Sequence, residues 1–159
     1  MSKRTRKLRQ PFERAAVHAA MTVIPRLPRR AVLCLAEAGG QLGYWFDSRS
    51  RRIGLANLDV AFGDNKTANE KKQILKASFG TMVRTLIDTF WFAHRSPERL
   101  ETYVEIDESA RVFFEDRAQI CITAHFGNWE IIGQMSGLMG LPLSSIATPV
   151  KNEAVNKHF

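Results

Sequence analysis

The stretch that decides the fold is I-C-I-T-A, residues 120–124, followed directly by H-F-G-N-W-E, residues 125–130. A short apolar run that breaks at a histidine and a glycine, and then re-enters a helix, is typical of a buried strand and a strand-to-helix turn. Open α/β folds keep their functional sites at such turns, at the carboxyl edge of a parallel sheet. The sequence therefore predicts a strand over Gln119–Ala124 and a functional turn directly after it.

The residues of this turn are suited to acid–base chemistry. His125 would end the strand, and Glu130 would lie in the first turn of the next helix, where its carboxylate can orient the ring. Gly127 lets the backbone turn sharply and brings amide N–H groups near a ligand, and Asn128 can cap the helix. Glu130 is also what a helix N-terminus favours for electrostatic reasons alone. No metal site is predicted, because the spacing is not that of a His-Glu-x-x-His zinc motif.

Working outward, the pattern favours an α/β architecture. A helix over Trp129–Met139 and a second strand over Leu143–Ala147 complete a βαβ unit, which requires parallel strands. Tyr103–Ile106 alternates like a further strand. Upstream, Thr67 and Glu70 form a capping box that opens a helix reaching Phe92. The apolar side chains of that helix are predicted to face the core: Leu75, Phe79, Met82, Leu86 and Phe90.

The net charge of +7 is concentrated at the N-terminus. Residues 1–30 carry nine basic side chains and one acidic one, and the remainder carries 14 basic and 15 acidic groups. Recognisable nucleic-acid-binding motifs are absent, so nucleic acid is not predicted as a partner. A basic cluster beside apolar segments is better suited to an anionic membrane surface. The two cysteines form no disulfide framework, which indicates a reducing compartment.

Two apolar segments, Ala15–Ile24 and Ala31–Phe46, are too short or too interrupted to predict a membrane-spanning helix. Helices that lie in the membrane interface are the favoured interpretation, and a soluble helical hairpin is the alternative. We therefore predict two regions. Residues 1–48 form a basic, apolar, membrane-associated helical segment, and residues 49–159 form the N-terminal, truncated part of an α/β domain with a partial parallel or mixed sheet and helices packed on it.

The run T-A-H-F-G-N-W-E, residues 123–130, resembles the signature of the bacterial lipid A biosynthesis acyltransferases, the lauroyl/myristoyl family. Related acyltransferases place His, four residues, and then Asp or Glu at the same step. Arg51–Phe62 is similar to the family pattern R-R-x-x-x-x-N-L-x-x-A-F, and Ser78-Phe79 with the helix after it is similar too. The resemblance runs from Arg51 to Asn152.

The resemblance implies a membrane-associated enzyme on the cytoplasmic face of the bacterial inner membrane. It would move an acyl group from an acyl carrier protein or coenzyme A thioester to a glycolipid hydroxyl, with no further cofactor. His125 would be the general base and Glu130 its partner, while Gly127 and Asn128 would bind substrate. The alternatives are a hydrolase that uses the same pair on water and a non-catalytic membrane-binding protein.

One step of the family pattern differs in this chain. The family commonly carries a Tyr-Arg-Pro-like step after the second strand, and this chain has Ala147-Thr148-Pro149 there. Lys151 is the nearest cation and is the predicted substitute, as a point charge without arginine's bidentate fork. The family chains continue with further strands and helices, so we expect these 159 residues to be an N-terminal fragment that self-associates or binds lipid.

Overall fold

The computed structural model describes residues 3–94, 96–115, 117–122 and 124–145, and within them the regular structure is helical. Six α-helices follow in order: α1 (Lys3–Val23), α2 (Arg29–Phe46), α3 (Ser48–Phe62), α4 (Ala68–Phe92), α5 (Ser96–Tyr103) and α6 (Glu130–Leu138). Short 3-10 helices cover Ile24–Arg26, Gly63–Asn65 and Glu108–Phe114. These described residues contain no strand, so the predicted α/β fold with a parallel or mixed sheet is wrong.

The predicted strand over Gln119–Ala124 fails at its described residues, which are all but Thr123, because the described part of the chain gives them no neighbouring strand. Ile120 and Ile122 are each 94% exposed. A strand exists only through hydrogen bonds to an adjacent strand, so an apolar run alone does not form one. The other two predicted strands fail with it. Tyr103 ends α5, residues 104–106 and 143–145 are irregular, and the end of the predicted strand Leu143–Ala147 lies outside the described residues.

The chain divides into two compact units. The first, here called the terminal unit, comprises Met1–Leu27, Phe90–Ile122 and Ile131–Phe159. The second, the motif unit, comprises Pro28–Thr89 and Thr123–Glu130. The motif unit therefore contains α2, α3, most of α4 and the turn that carries the predicted site.

In the terminal unit a tryptophan connects the end of α4 to the chain after α1. Trp91 is buried, and its Nε1 donates to the carbonyl oxygen of Leu27 at 3.0 Å. Arg99 on α5 lies over the Trp91 ring, 4.0 Å from its centroid, and donates to the carbonyl oxygen of Pro25 at 2.6 Å. A guanidinium over an indole face is attracted by the ring quadrupole, so this contact adds to the two hydrogen bonds.

In the motif unit α2 and α4 cross with their backbones in contact. A Cβ atom on Gly40 would lie 2.5 Å from the Cα atom of Gly80 and 2.8 Å from its nitrogen. Side-chain carbons do not approach backbone atoms that closely, so only glycine is accommodated at this point of α2. Beside the crossing, Tyr44 packs edge-on against Phe79, with ring centroids 5.8 Å apart.

The connection from α2 to α3 is held by Arg51. Its Nη1 donates to the carbonyl oxygens of Tyr44 at 2.6 Å and Trp45 at 2.9 Å. These are among the last carbonyls of α2, which have no partner within the helix, so the arginine acts as a C-terminal cap. Further along α3, Gly54 leaves room for Leu75 of α4, whose Cδ1 lies 2.4 Å from where a Cβ would stand.

The start of α4 confirms the predicted capping box. The backbone N–H of Thr67 donates to Glu70 Oε2 at 2.7 Å, and the N–H of Glu70 donates to Thr67 Oγ1 at 3.3 Å. The backbone and side-chain hydrogen bonds from Thr67 hold the pKa of the Glu70 carboxyl below its ordinary value. The helix then runs to Phe92, as predicted.

Within the motif unit α4 buries different faces along its length. Leu75 is buried as predicted, but Met82 is 52% and Leu86 is 57% exposed, so the predicted apolar core stripe is wrong at these two positions. Thr85 and Asp88 are buried instead. Asp88 lies about 140° around the helix from Leu75, given 3.6 residues per turn. The buried face changes because Thr85 and Asp88 have hydrogen-bonding partners in this unit.

The face of α2 that points away from α4 is apolar. Val32 and Ala36 are buried, whereas Leu42, Trp45 and Phe46 are exposed, the last two by 68% and 83%.

Among the described residues, no helix combines the length and the hydropathy needed to cross a membrane.

The glycine crossing predicts unequal effects of two matched substitutions. Gly40→Ala pushes a methyl group into the backbone of α4, and such overpacking costs about 1–3 kcal/mol. Gly80→Ala should be neutral or stabilising, because its Cβ meets only Glu37 Oε2, at 3.6 Å, and replacing glycine in a helix contributes about 0.5–1 kcal/mol. The check is thermal unfolding of both variants beside the parent. Equal midpoints for the two variants would contradict the backbone contact.

Candidate functional site

The predicted functional turn lies in the motif unit and leads into α6. Gly127 has a φ of +60°, in the left-handed region, so the prediction that it makes a sharp turn is confirmed. Helix α6 begins at Glu130, which puts Glu130 in its first turn, as predicted. Asn128 stands two residues before the helix, and its side chain is used for a contact with α4 and not as the predicted N-cap.

The two predicted catalytic side chains each contact the indole of Trp129. The imidazole of His125 lies against Trp129, with ring centroids 4.6 Å apart and planes at 56°. Glu130 Oε1 accepts a hydrogen bond from Trp129 Nε1 at 2.9 Å. Both His125 and Glu130 are exposed, so each is open to an approaching molecule. In the described turn, the carboxylate is thus bonded to the indole and not to the imidazole.

Behind the turn lies a buried ion pair that the sequence did not predict. Asp88 on α4 is only 3% exposed. Both guanidinium Nη atoms of Arg29, the first residue of α2, donate to its two carboxylate oxygens, with Nη2 3.2 Å from Oδ2. The same Oδ2 accepts a hydrogen bond from Asn128 Nδ2 at 3.1 Å. Removing one partner of a buried pair costs about 3–5 kcal/mol, because it leaves the other charge buried without compensation.

A second side chain of α4 contacts the turn at Gly127, the residue before Asn128. Thr85 Oγ1 donates to the carbonyl oxygen of Gly127 at 3.3 Å. Thr85 and Asp88 are three residues apart and therefore lie on the same face of α4. Two adjacent residues of the turn, Gly127 and Asn128, are thus bonded to one helix face, while His125 and Glu130 stand on either side of them.

Sequence reasoning missed Asp88, Thr85 and Arg29. Arg29 belongs to the basic cluster for which we predict attraction to a membrane, but the structure pairs it with a carboxylate 59 residues away in the chain. A signal was nevertheless present. Thr85 and Asp88 interrupt the most regular apolar helix of the chain at a spacing of three, and a charged residue in such a helix usually has a buried partner.

Lys151, the predicted substitute for the family's arginine, lies outside the described residues, as does the Ala147-Thr148-Pro149 step before it. Its role in substrate binding therefore stays a prediction.

Comparison with known proteins gives one match. The family model described as bacterial lipid A biosynthesis acyltransferase matches residues 1–159. This covers more of the chain than the resemblance from Arg51 to Asn152 and includes α1 and α2. No curated protein and no solved structure matches the chain.

Because Gly127 has a positive φ, replacing it should cost stability through backbone strain alone. A Cβ atom there would meet nothing within 4 Å, so Gly127→Ala would be strained only by its backbone. We expect it to lower the free energy of unfolding by about 1 kcal/mol. Gly127→Asn should lose less, because asparagine adopts positive φ more readily. Chemical denaturation measures both variants, and an equal loss for Ala and Asn would contradict this account.

Proposed function

Because this chain belongs to the bacterial lipid A biosynthesis acyltransferase family, we propose that it moves a fatty acyl group from a thioester to a hydroxyl of a lipid A precursor-like glycolipid. The family makes the protein an acyltransferase with an acyl donor and a lipid A-type acceptor. The identity of the donor as an acyl carrier protein or coenzyme A thioester, the chemistry of the site and the membrane location belong to the proposal. The observation that carries it is the exposed His125 and Glu130 on one indole.

In the proposed step His125 acts as general base. The acceptor hydroxyl gives its proton to an imidazole nitrogen while its oxygen attacks the thioester carbonyl carbon. The resulting tetrahedral oxyanion collapses, the carbon–sulfur bond breaks, and the imidazolium returns the proton to the leaving thiolate. Histidine gains and loses a proton near neutral pH, and such assistance contributes about 10²–10⁴-fold to a rate. Backbone amides of the Gly127–Asn128 turn are the proposed donors to the oxyanion.

Glu130 is the proposed partner of the imidazolium. A carboxylate has about four acceptor sites, so the hydrogen bond from Trp129 Nε1 to Oε1 leaves Oε2 able to accept the second ring N–H. The Trp129 indole would keep the carboxylate on the side of the histidine ring. As the carboxylate does in a serine-protease triad, Glu130 would orient the ring and stabilise its cation.

Peripheral membrane association at the cytoplasmic face of the inner membrane is the second part of the proposal. The excess of basic side chains in residues 1–30 supports attraction to anionic lipids. The exposed side chains of Leu42, Trp45 and Phe46 on α2 support insertion of an apolar face into the interface. Acceptor glycolipids reside in a membrane, so an enzyme held at its surface meets them directly.

His125→Ala should abolish acyl transfer without changing thermal unfolding, because the imidazole is exposed and, in the described part of the chain, packs only against the Trp129 ring. Glu130→Gln should be less damaging, since the amide oxygen still accepts from the Trp129 indole but cannot stabilise a cation. The assay follows radiolabelled acyl chains from thioester to glycolipid. His94→Ala, also at an exposed histidine, is the control.

Four results would contradict this mechanism. Activity retained in His125→Ala removes the histidine as base. A silent Glu130→Gln leaves Glu130 as a residue that favours the helix N-terminus and nothing more. Thioester consumed equally without glycolipid indicates a hydrolase, and lipid binding by the parent chain without turnover indicates a non-catalytic membrane-binding protein.

Neutralising the basic N-terminus should weaken membrane binding. Replacing Lys3, Arg4, Arg6, Lys7 and Arg9 with glutamine should lower binding to vesicles that contain anionic lipid and reduce its salt dependence. Co-sedimentation at low and high salt, with neutral vesicles as the control, makes the measurement. Binding that is unchanged and independent of salt would mean that the apolar face of α2 dominates.

A further inference from the structure

We propose that Asp88, held by Arg29, is a positioning residue that acts through Asn128 to fix the turn between His125 and Glu130. This inference rests on the proposed function of that pair. It is carried by the chain of hydrogen bonds from Arg29 to Asp88 to Asn128, all within the motif unit.

The chemistry of Asp88 fixes the orientation of the Asn128 amide. An ionised carboxylate only accepts hydrogen bonds, so the NH₂ group and not the carbonyl of Asn128 has to face it. The carbonyl oxygen Oδ1 of Asn128 is consequently buried without a hydrogen-bond partner in the described structure. The Asn128 side chain is therefore held by the bond from its Nδ2 to the Asp88 carboxylate. Hydrogen bonds to a charged acceptor are stronger than those between neutral groups.

The Asp88 carboxylate is itself held by hydrogen bonds on both oxygens. Its second partner is the planar fork of Arg29, which bonds both oxygens and fixes the plane of the carboxylate. Burial removes water as a competing partner. The Thr85 hydroxyl bonds the neighbouring Gly127 carbonyl from the same helix face. The Gly127 backbone and the Asn128 side chain are therefore both hydrogen-bonded to α4. These bonds limit how far the spacing of His125 and Glu130 can change.

Catalysis depends strongly on this spacing. Placement errors of about 1 Å, even from residues remote from the chemistry, can cost on the order of 100-fold in rate. In the described structure no hydrogen bond or ion pair joins Asp88 to His125 or Glu130, and Asp88 does not need to reach the substrate. Its loss should lower kcat, because the reacting groups are misplaced, while KM stays close to that of the parent.

The test is a double-mutant cycle on kcat and KM, using Asp88→Ala, Asn128→Ala and the double variant. We expect each single variant to lower kcat by about 10–100-fold, with KM unchanged. The double variant should be no worse than the poorer single one, because both remove the same contact. Asp59→Asn is the matched control, since it breaks another ion pair of α4, that of Lys71 with Asp59 at 2.7 Å, and should leave kcat unchanged.

Folding is checked by thermal unfolding of every variant. If Asp88→Ala does not fold, Asn128→Ala alone tests the contact, because it removes the same hydrogen bond and leaves the pair of Arg29 and Asp88 intact. Full kcat in Asp88→Ala, or in Asn128→Ala where Asp88→Ala does not fold, would overturn the proposal. So would losses that multiply in the double variant, which would mean that Asn128 contacts substrate independently of Asp88.

His125→Ala, assayed beside the cycle, separates this inference from the proposed function. An active His125→Ala removes the histidine base and with it the reason for positioning the turn. An inactive His125→Ala together with full kcat in the Asp88 variant leaves the base in place and removes only the positioning role.

Discussion

The motif unit depends on one buried ion pair between Arg29 and Asp88. A carboxylate that is 3% exposed would be costly without a compensating cation, and the guanidinium fork supplies two charge-assisted hydrogen bonds. The pair joins the start of α2 to the later part of α4. It also decides which face of α4 turns inward there, so Met82 and Leu86, which are apolar, remain on the surface.

The candidate site separates exposed side chains from the buried side chains that hold the turn between them. His125 and Glu130 are exposed and meet on Trp129, whereas Asp88 and Thr85 are buried and bond the residues between them. In the proposed mechanism the base has to be open to two large substrates, an acyl thioester and a glycolipid. A turn that is open to substrate cannot be packed on both sides. Hydrogen bonds from the buried face of α4 can hold such a turn while its other side stays exposed.

Signals that act within a few residues were predictable from the sequence. The capping box of Thr67 and Glu70, the extent of α4 and the left-handed Gly127 all follow from local chemistry and all appear in the structure. The absence of a sheet from the described residues was not predictable in this way, because an apolar run such as Ile120–Ile122 becomes a strand only beside another strand. The family and the motif could likewise be recognised from the residues in order. The partners of Asp88 could not, because they lie 59 residues before it and 40 residues after it in the chain.

The two buried faces of α4 have a consequence for how the chain tolerates insertions and deletions. Leu75 is fixed against Gly54 of α3, and Asp88 is fixed by Arg29. Adding or removing one residue between them rotates the later part of the helix by about 100° relative to the earlier part. Leu75 and Asp88 could then not both keep their partners. The thirteen-residue separation of Leu75 and Asp88 should therefore tolerate no insertion or deletion. Substitutions of the surface residues between them should be tolerated.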